Sequence, residues 1–93
     1  MQDSKLQNKK KLIMQKAIGK VIRQQRIAMG KGINTFYFEY DLGNAVITDT
    51  ENGKTKPKIG TIWKFANAFG MKCSELVKLI EDELPENFNF YDD

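Results

Sequence analysis

The sequence predicts a small domain built mainly of α-helix, and three stretches carry that expectation. Between residues 11 and 29, Leu12, Ile13, Ala17, Ile18, Val21, Ile22 and Met29 recur near helical spacing, and Gly30 stands where such a helix would stop. In "KIGTIWKFANAFG", 58–70, Ile59, Ile62, Trp63, Phe65, Ala66 and Phe69 form a broad apolar face closed by Gly70. In "CSELVKLIEDEL", 73–84, Leu76, Val77, Leu79, Ile80 and Leu84 do the same, with Lys72 or Ser74 ahead of the first turn. Pro85 ends this helix firmly, because its ring lacks the N–H that the next hydrogen bond needs.

In chain order, residues 1–10 are polar and basic and read as a flexible arm, 11–84 hold all the patterned segments and form the domain, and 85–93 are an acidic tail. In that tail Phe88, Phe90 and Tyr91 are spaced by polar residues, which suits either packing back on the core or a mobile end. The middle is ambiguous. "TFYFEYDLGNAVITDT", 35–50, is aromatic and β-branched, so local propensity favours a β-hairpin around "DLGN". Its rival is two short helices, 34–40 and 44–52, joined by a turn near Leu42 and Gly43. Just beyond, "DTENGKTKP", 49–57, stops a helix at Gly53, a natural left-handed position, and runs at once into Lys54, Lys56 and Lys58 around Pro57.

Ninety-three residues give one domain with one modest core, and 41% hydrophobic content belongs to a folded chain. Cys73 is the single cysteine and there is no histidine. An internal disulfide, a Cys- or His-built metal site and a His general base are excluded, and no nucleophile-and-base spacing suggests an enzyme or a bound cofactor. No apolar run reaches the ~18 residues of a membrane span, and the basic start lacks the ~7–15-residue apolar core of a signal peptide. The expected setting is cytoplasmic. The net charge of +3 conceals blocks: residues 1–31 carry nine Lys/Arg against Asp3, 32–53 four acids and no base, 54–72 five lysines and no acid, and 73–93 Lys78 against seven acids. Two basic blocks point to an anionic partner; the competing reading is two solvated faces and an acidic tail.

The order and spacing of three segments carry a resemblance. "IGKVIRQQRIAMG" (18–30), "DLGNAVITDTENGKTKP" (41–57) and "TIWKFANAFGMKCSEL" (61–76) together resemble the phage-repressor and Cro-type helix-turn-helix family, also called XRE-like, without a gap over residues 17–80. "ENGKTKP" with "WKFANAFGM" is the specific half of the match. The resemblance implies an all-α, five-helix repressor-like DNA-binding domain, in which the second and third helices form the helix-turn-helix and the third lies in the major groove. It favours two short helices over the hairpin at 35–50. It implies a sequence-specific transcriptional regulator with double-stranded DNA as partner, working as a homodimer on a pseudo-palindromic site. It gives that regulator a nucleoid-associated place in the cytoplasm, with no membrane and no small-molecule substrate. A helix stop followed by lysines then has a reason, since the loop after the recognition helix meets the DNA backbone.

Carried over residue by residue, the resemblance makes Asn44, Ala45, Thr48 and Asp49 the base-contacting face of the third helix. Asn suits adenine, Ala or a Thr methyl suits the thymine methyl, and Asp accepts from cytosine. Asn34, Asn52, Lys54, Thr55, Lys56 and Lys58 match phosphate-contacting positions. Arg26 and Glu51 match a charged pair between the first and third helices. Lys9, Lys10 and Lys11 read either as an arm along the backbone or as solvated charge. Phe36, Phe38, Tyr40, Phe65 and Phe69 read as core. The segment 31–50 departs from the family: Tyr37 stands where Ala is preferred, Ile33 where Gln is usual, and Gln25, Lys31 and Thr50 at apolar positions. These departures displace the second helix or shift the register there. They also keep a rival function open, a degenerate helix-turn-helix that serves as an antitoxin-like or accessory protein-interaction module through residues 35–40.

Overall fold

Three glycines set the punctuation of the chain. Gly30, Gly53 and Gly70 take φ of +72°, +69° and +72°, and each ends a helix through the same pair of backbone bonds. At Gly53 its own N–H donates to Thr50 O (3.1 Å) and the Lys54 N–H to Asp49 O (2.9 Å). These bonds occupy carbonyls that the helix end leaves without partners. The computed structural model describes residues 4–92 and is all-helical there, with no strand: α1 Ser4–Ala28, α2 Ile33–Tyr40, α3 Asn44–Glu51, α4 Ile59–Ala68 and α5 Cys73–Glu83. At the start of α5 the Glu75 carboxylate accepts from the Lys72 N–H at 2.9 Å, half of a capping box. No described helix is long and apolar enough to cross a membrane.

The middle segment is helical against its local propensity. Phe36, Leu42 and Ile47 are buried to 0%, 4% and 0% exposure. The Phe36 ring lies 5.6 Å from Phe69 and 6.2 Å from Phe65 between centroids, so α2 is held by the aromatic face of α4. Tertiary burial of this kind outweighs a propensity scale spanning only ~1 kcal/mol per residue. Phe38 corrects the expectation of a Phe36/Phe38/Tyr40 core set: it is 86% exposed. Residues 36, 38 and 40 share a face at strand period, whereas at 3.6 residues per turn position 38 turns away from 36 and 40. Tyr37 is likewise accommodated at the surface, and α2 begins at Ile33.

α1 is the spine. It packs on α3 and α5, α2 packs on α3, and α4 packs on α5. Ala17, Val21 and Ile22 meet Phe65, Ala66, Leu76 and Ile80 in one buried cluster. Of the segment 1–10, expected to be a flexible arm, the chain from Ser4 onward is already part of α1; residues 1–3 lie outside the described residues. The reason is a partner: the tail folds back, the Gln7 side-chain amide donates to Phe90 O, and the Lys10 ammonium sits over the Phe88 ring. Two members of the expected apolar face of α4, Ile59 and Trp63, are more than half exposed. They lie one turn apart, and Trp63 lines an open groove with Cys73, Ser74, Glu75 and Val77 of α5.

Candidate nucleic-acid interface

α3 is eight residues long and buries one edge. Ile47 and Thr50 are 0% and 1% exposed and the Glu51 side chain 5%. Asn44, Ala45, Asp49 and Asn52 are exposed and Thr48 is half-buried. At about 100° per residue these five fall on one outward arc. The four residues expected to contact bases are therefore on one face. Within it they divide. Asn44 and Thr48 border a concavity with Gly32, Ile33 and Asn34 at the start of α2. Ala45 and Asp49 border another with Lys56, Pro57, Lys58 and Thr61 at the start of α4. The Asn44 amide is already engaged: Nδ2 donates to Asn34 Oδ1 at 3.0 Å, and Oδ1 accepts from Thr48 Oγ1 at 3.5 Å. Asn34 thus bridges α2 to α3 as well as standing near the surface.

Two helix starts flank this arc, and neither is closed by a side chain. Gly32 precedes α2 and Lys58 precedes α4, and neither makes a side-chain cap hydrogen bond. The N–H groups of Ile33 and Asn34 at the start of α2, and of Ile59 and Gly60 at the start of α4, donate to no described residue, whereas that of Thr61 donates to Lys58 O at 2.9 Å; with the positive end of the helix dipole behind them, such groups receive anions. Between α3 and α4, Lys54, Lys56 and Lys58 are exposed and pair with no described acid. The N–H groups of Thr55, Lys56 and Lys58 donate to no described residue. Lys31 differs: its ammonium bonds Glu39 and the Tyr40 hydroxyl (3.2 Å) and lies 4.9 Å over the Tyr40 ring. The hydrogen bond to Glu39, then that to Tyr40, raises its pKa, and its charge is neutralised locally.

What fixes α3 is a buried fork. Arg26 Nε and Nη2 donate to the two Glu51 carboxylate oxygens at 2.6 and 2.9 Å, and Nη1 donates to Lys31 O at 2.7 Å. One guanidinium therefore ties α1, the α1–α2 turn and the end of α3, a bidentate geometry that Lys could not copy. The hydrogen bonds to Glu51 raise the Arg26 pKa against the opposing effect of burial. Beside the fork, Gly19 lets the helices touch: a methyl there would lie 2.4 Å from Thr50 O and 2.6 Å from Glu51 O. Gln15 Nε2 donates to Gly53 O at 3.1 Å and anchors the start of the lysine loop on α1.

Sequence reasoning missed Gly19 and Gln15. A glycine inside a helical pattern costs ~1 kcal/mol relative to Ala, so Gly19 carried a signal that asked for a packing reason. Gln15 carried none. Of the three polar residues noted at apolar positions, Thr50 is buried and its Oγ1 is without a partner, Gln25 is half-buried, and Lys31 is spent on Glu39 and Tyr40. Neither a protein-family model, nor a characterised protein, nor a solved structure matches this chain.

Proposed function

We propose that the protein is a sequence-specific, double-stranded-DNA-binding regulator of the repressor-like helix-turn-helix kind, with α2 and α3 as the motif and α3 as the recognition helix. The observation that carries this is the exposed arc of α3, set between two uncapped helix starts and followed by a loop of unpaired lysines. A duplex with its major groove on α3 brings one phosphate strand to α2 and the other to the 54–58 loop, so cations and free N–H groups stand where charge would be. Phosphate contacts by Lys54, Lys56 and Lys58, with Asn52, Thr55 and the start of α2, supply affinity. Asn44, Ala45, Thr48 and Asp49 supply discrimination. Two copies act on a pseudo-palindromic site, as paired recognition helices require.

The test is selection of bound sequences from random duplex DNA, then affinity against salt for Lys54→Ala with Lys56→Ala. Binding of all sequences weakens alike, and the slope of log K against log salt shrinks by about 0.9 per lost contact. An unchanged slope removes the loop from the interface. A second reading has one observation of its own: Phe38 and Tyr37 are exposed side by side on α2, a surface for a protein partner. Absence of any salt-dependent DNA binding would favour it.

A further inference from the structure

We propose that Phe88 and Phe90 belong to the anion-binding machinery, as a strap that holds the Lys54–Lys58 loop against α1. The link to DNA rests on the function proposed above, but the strap is testable without DNA.

The first half of the loop is secured from α1. Gln15 bonds Gly53 O, and Lys16 lies so close that a methyl on Gly53 would be 3.2 Å from its Cγ. The second half has no such hold, because Thr55, Lys56 and Lys58 donate no backbone hydrogen bond to a described residue. What borders it is a narrow apolar groove with Met14 and Ile18 of α1 as floor, Pro57 and Lys56 on one wall and Phe90 on another. Phe90 is itself pinned. Gln7 donates to its carbonyl, Phe88 meets its ring edge-on at 5.4 Å and 78°, and Lys10 lies 5.2 Å over Phe88. Asn89 Oδ1 accepts from the Tyr91 and Asp92 N–H groups at 2.9 and 2.8 Å and closes the turn beyond. The amino-terminal turns of α1, the tail and the lysine loop thus form one assembly, which reaches the outward arc of α3 only through the loop, where Lys56, Pro57 and Lys58 border Ala45 and Asp49.

Free N–H groups and ammonium groups bind phosphate well only if they are ordered beforehand, since ordering them on contact subtracts from affinity. Phe88 and Phe90 are therefore positioning residues that act through the loop. Their loss changes the loop, and through it the phosphate contacts of Thr55, Lys56 and Lys58, while Asn44 and Thr48, which border α2 instead, keep their base preference.

The experiment compares the full chain with its Phe88→Ala/Phe90→Ala variant by backbone ¹⁵N relaxation. The order parameters of Thr55, Lys56 and Lys58 fall from about 0.85 to below about 0.6, with those of Ile47 and Phe65 unchanged. Affinity for random-sequence duplex DNA falls about tenfold, the scale expected when one or two loop side chains must be ordered on contact. Gln7→Leu, which cuts the pin without touching the core, moves the same loop amides less, and Phe90→Leu restores most of the order. These two variants decide the matter if the double variant does not fold. Loop order parameters that stay at the wild-type value in folded variants overturn the proposal. So does a gain in DNA affinity, which would make the acidic tail a competitor of phosphate. If the wild-type chain binds no DNA, the proposed function fails while the relaxation data still decide the strap.

Discussion

Replacing Gly19 by alanine places a methyl group 2.4 Å from Thr50 O and 2.6 Å from Glu51 O. Both are backbone oxygens at the end of α3, so no side chain can swing aside. Ordinary contact begins near 3.4 Å, and α3 must retreat from α1 by about 1 Å at the turn that carries Glu51. Overpacking of this kind costs about 1–3 kcal/mol, against which alanine gains about 1 kcal/mol of helix propensity. With both clashing atoms on the backbone the cost falls in the upper part of that range, about 2–3 kcal/mol, so the expected net loss is about 1–2 kcal/mol, or roughly 4–16 °C in Tm for a domain of this size. Gly60 is the control. It too is helical, but nothing lies within 4 Å of a methyl built there, so Gly60→Ala stabilises by up to about 1 kcal/mol. Urea unfolding followed by far-UV circular dichroism measures both. The same substitution thus has opposite signs at two helical glycines. A Gly19→Ala variant as stable as wild type, or stabilised in parallel with Gly60→Ala, would refute the close approach of α1 and α3 and the placement of the exposed α3 face that depends on it.

Three more outcomes follow from the same geometry. Glu51→Ala leaves the Arg26 guanidinium buried with only Lys31 O and costs about 3–5 kcal/mol, whereas Arg26→Met with Glu51→Leu stays close to wild type; a double variant as unstable as the single one would make the pair itself the source of stability. Thr50→Val removes the partnerless buried Oγ1 and raises stability by about 1 kcal/mol, read as a shift in urea midpoint, and a loss would reveal an ordered water on that hydroxyl. Asn44→Ala relaxes preference at one base pair per half-site by about 1–3 kcal/mol while the salt slope stays constant. Asn34→Ala weakens the same preference by freeing the Asn44 amide. Affinities for all four bases at each operator position decide this last case, and a uniform loss would reduce Asn44 to a bridge between α2 and α3.

The sequence by itself determined where four of the helices stop. Gly30, Gly53, Gly70 and Pro85 are local devices whose effect depends on their own backbone freedom or lack of it, and the periodic apolar residues of α1 and α5 point inward with the exception of Leu12, which is 47% exposed. The sets proposed for base and phosphate contact came from the resemblance and not from spacing; the structure adds that Asn44, Ala45, Thr48 and Asp49 lie on one arc of α3. Arg26 and Glu51 were found only through the resemblance, because 25 positions separate them and neither signals the other.

Tertiary structure decided the rest. Residues 35–50 are helical because Phe36 finds Phe65 and Phe69 on α4, a long-range contact that propensity cannot register. Trp63 and Ile59 are more than half exposed, Trp63 beside a groove that it lines with the first turns of α5, and a pattern of apolar residues does not say how closely a neighbouring helix will approach. Gly19 is a point of helix contact because the end of α3 arrives there. The amino-terminal residues are helical from Ser4 because Phe88 and Phe90, more than seventy-five residues later, return to meet Gln7 and Lys10. In each case the deciding energy is burial or a hydrogen bond between elements distant in the chain, and such terms exist only once the chain has folded.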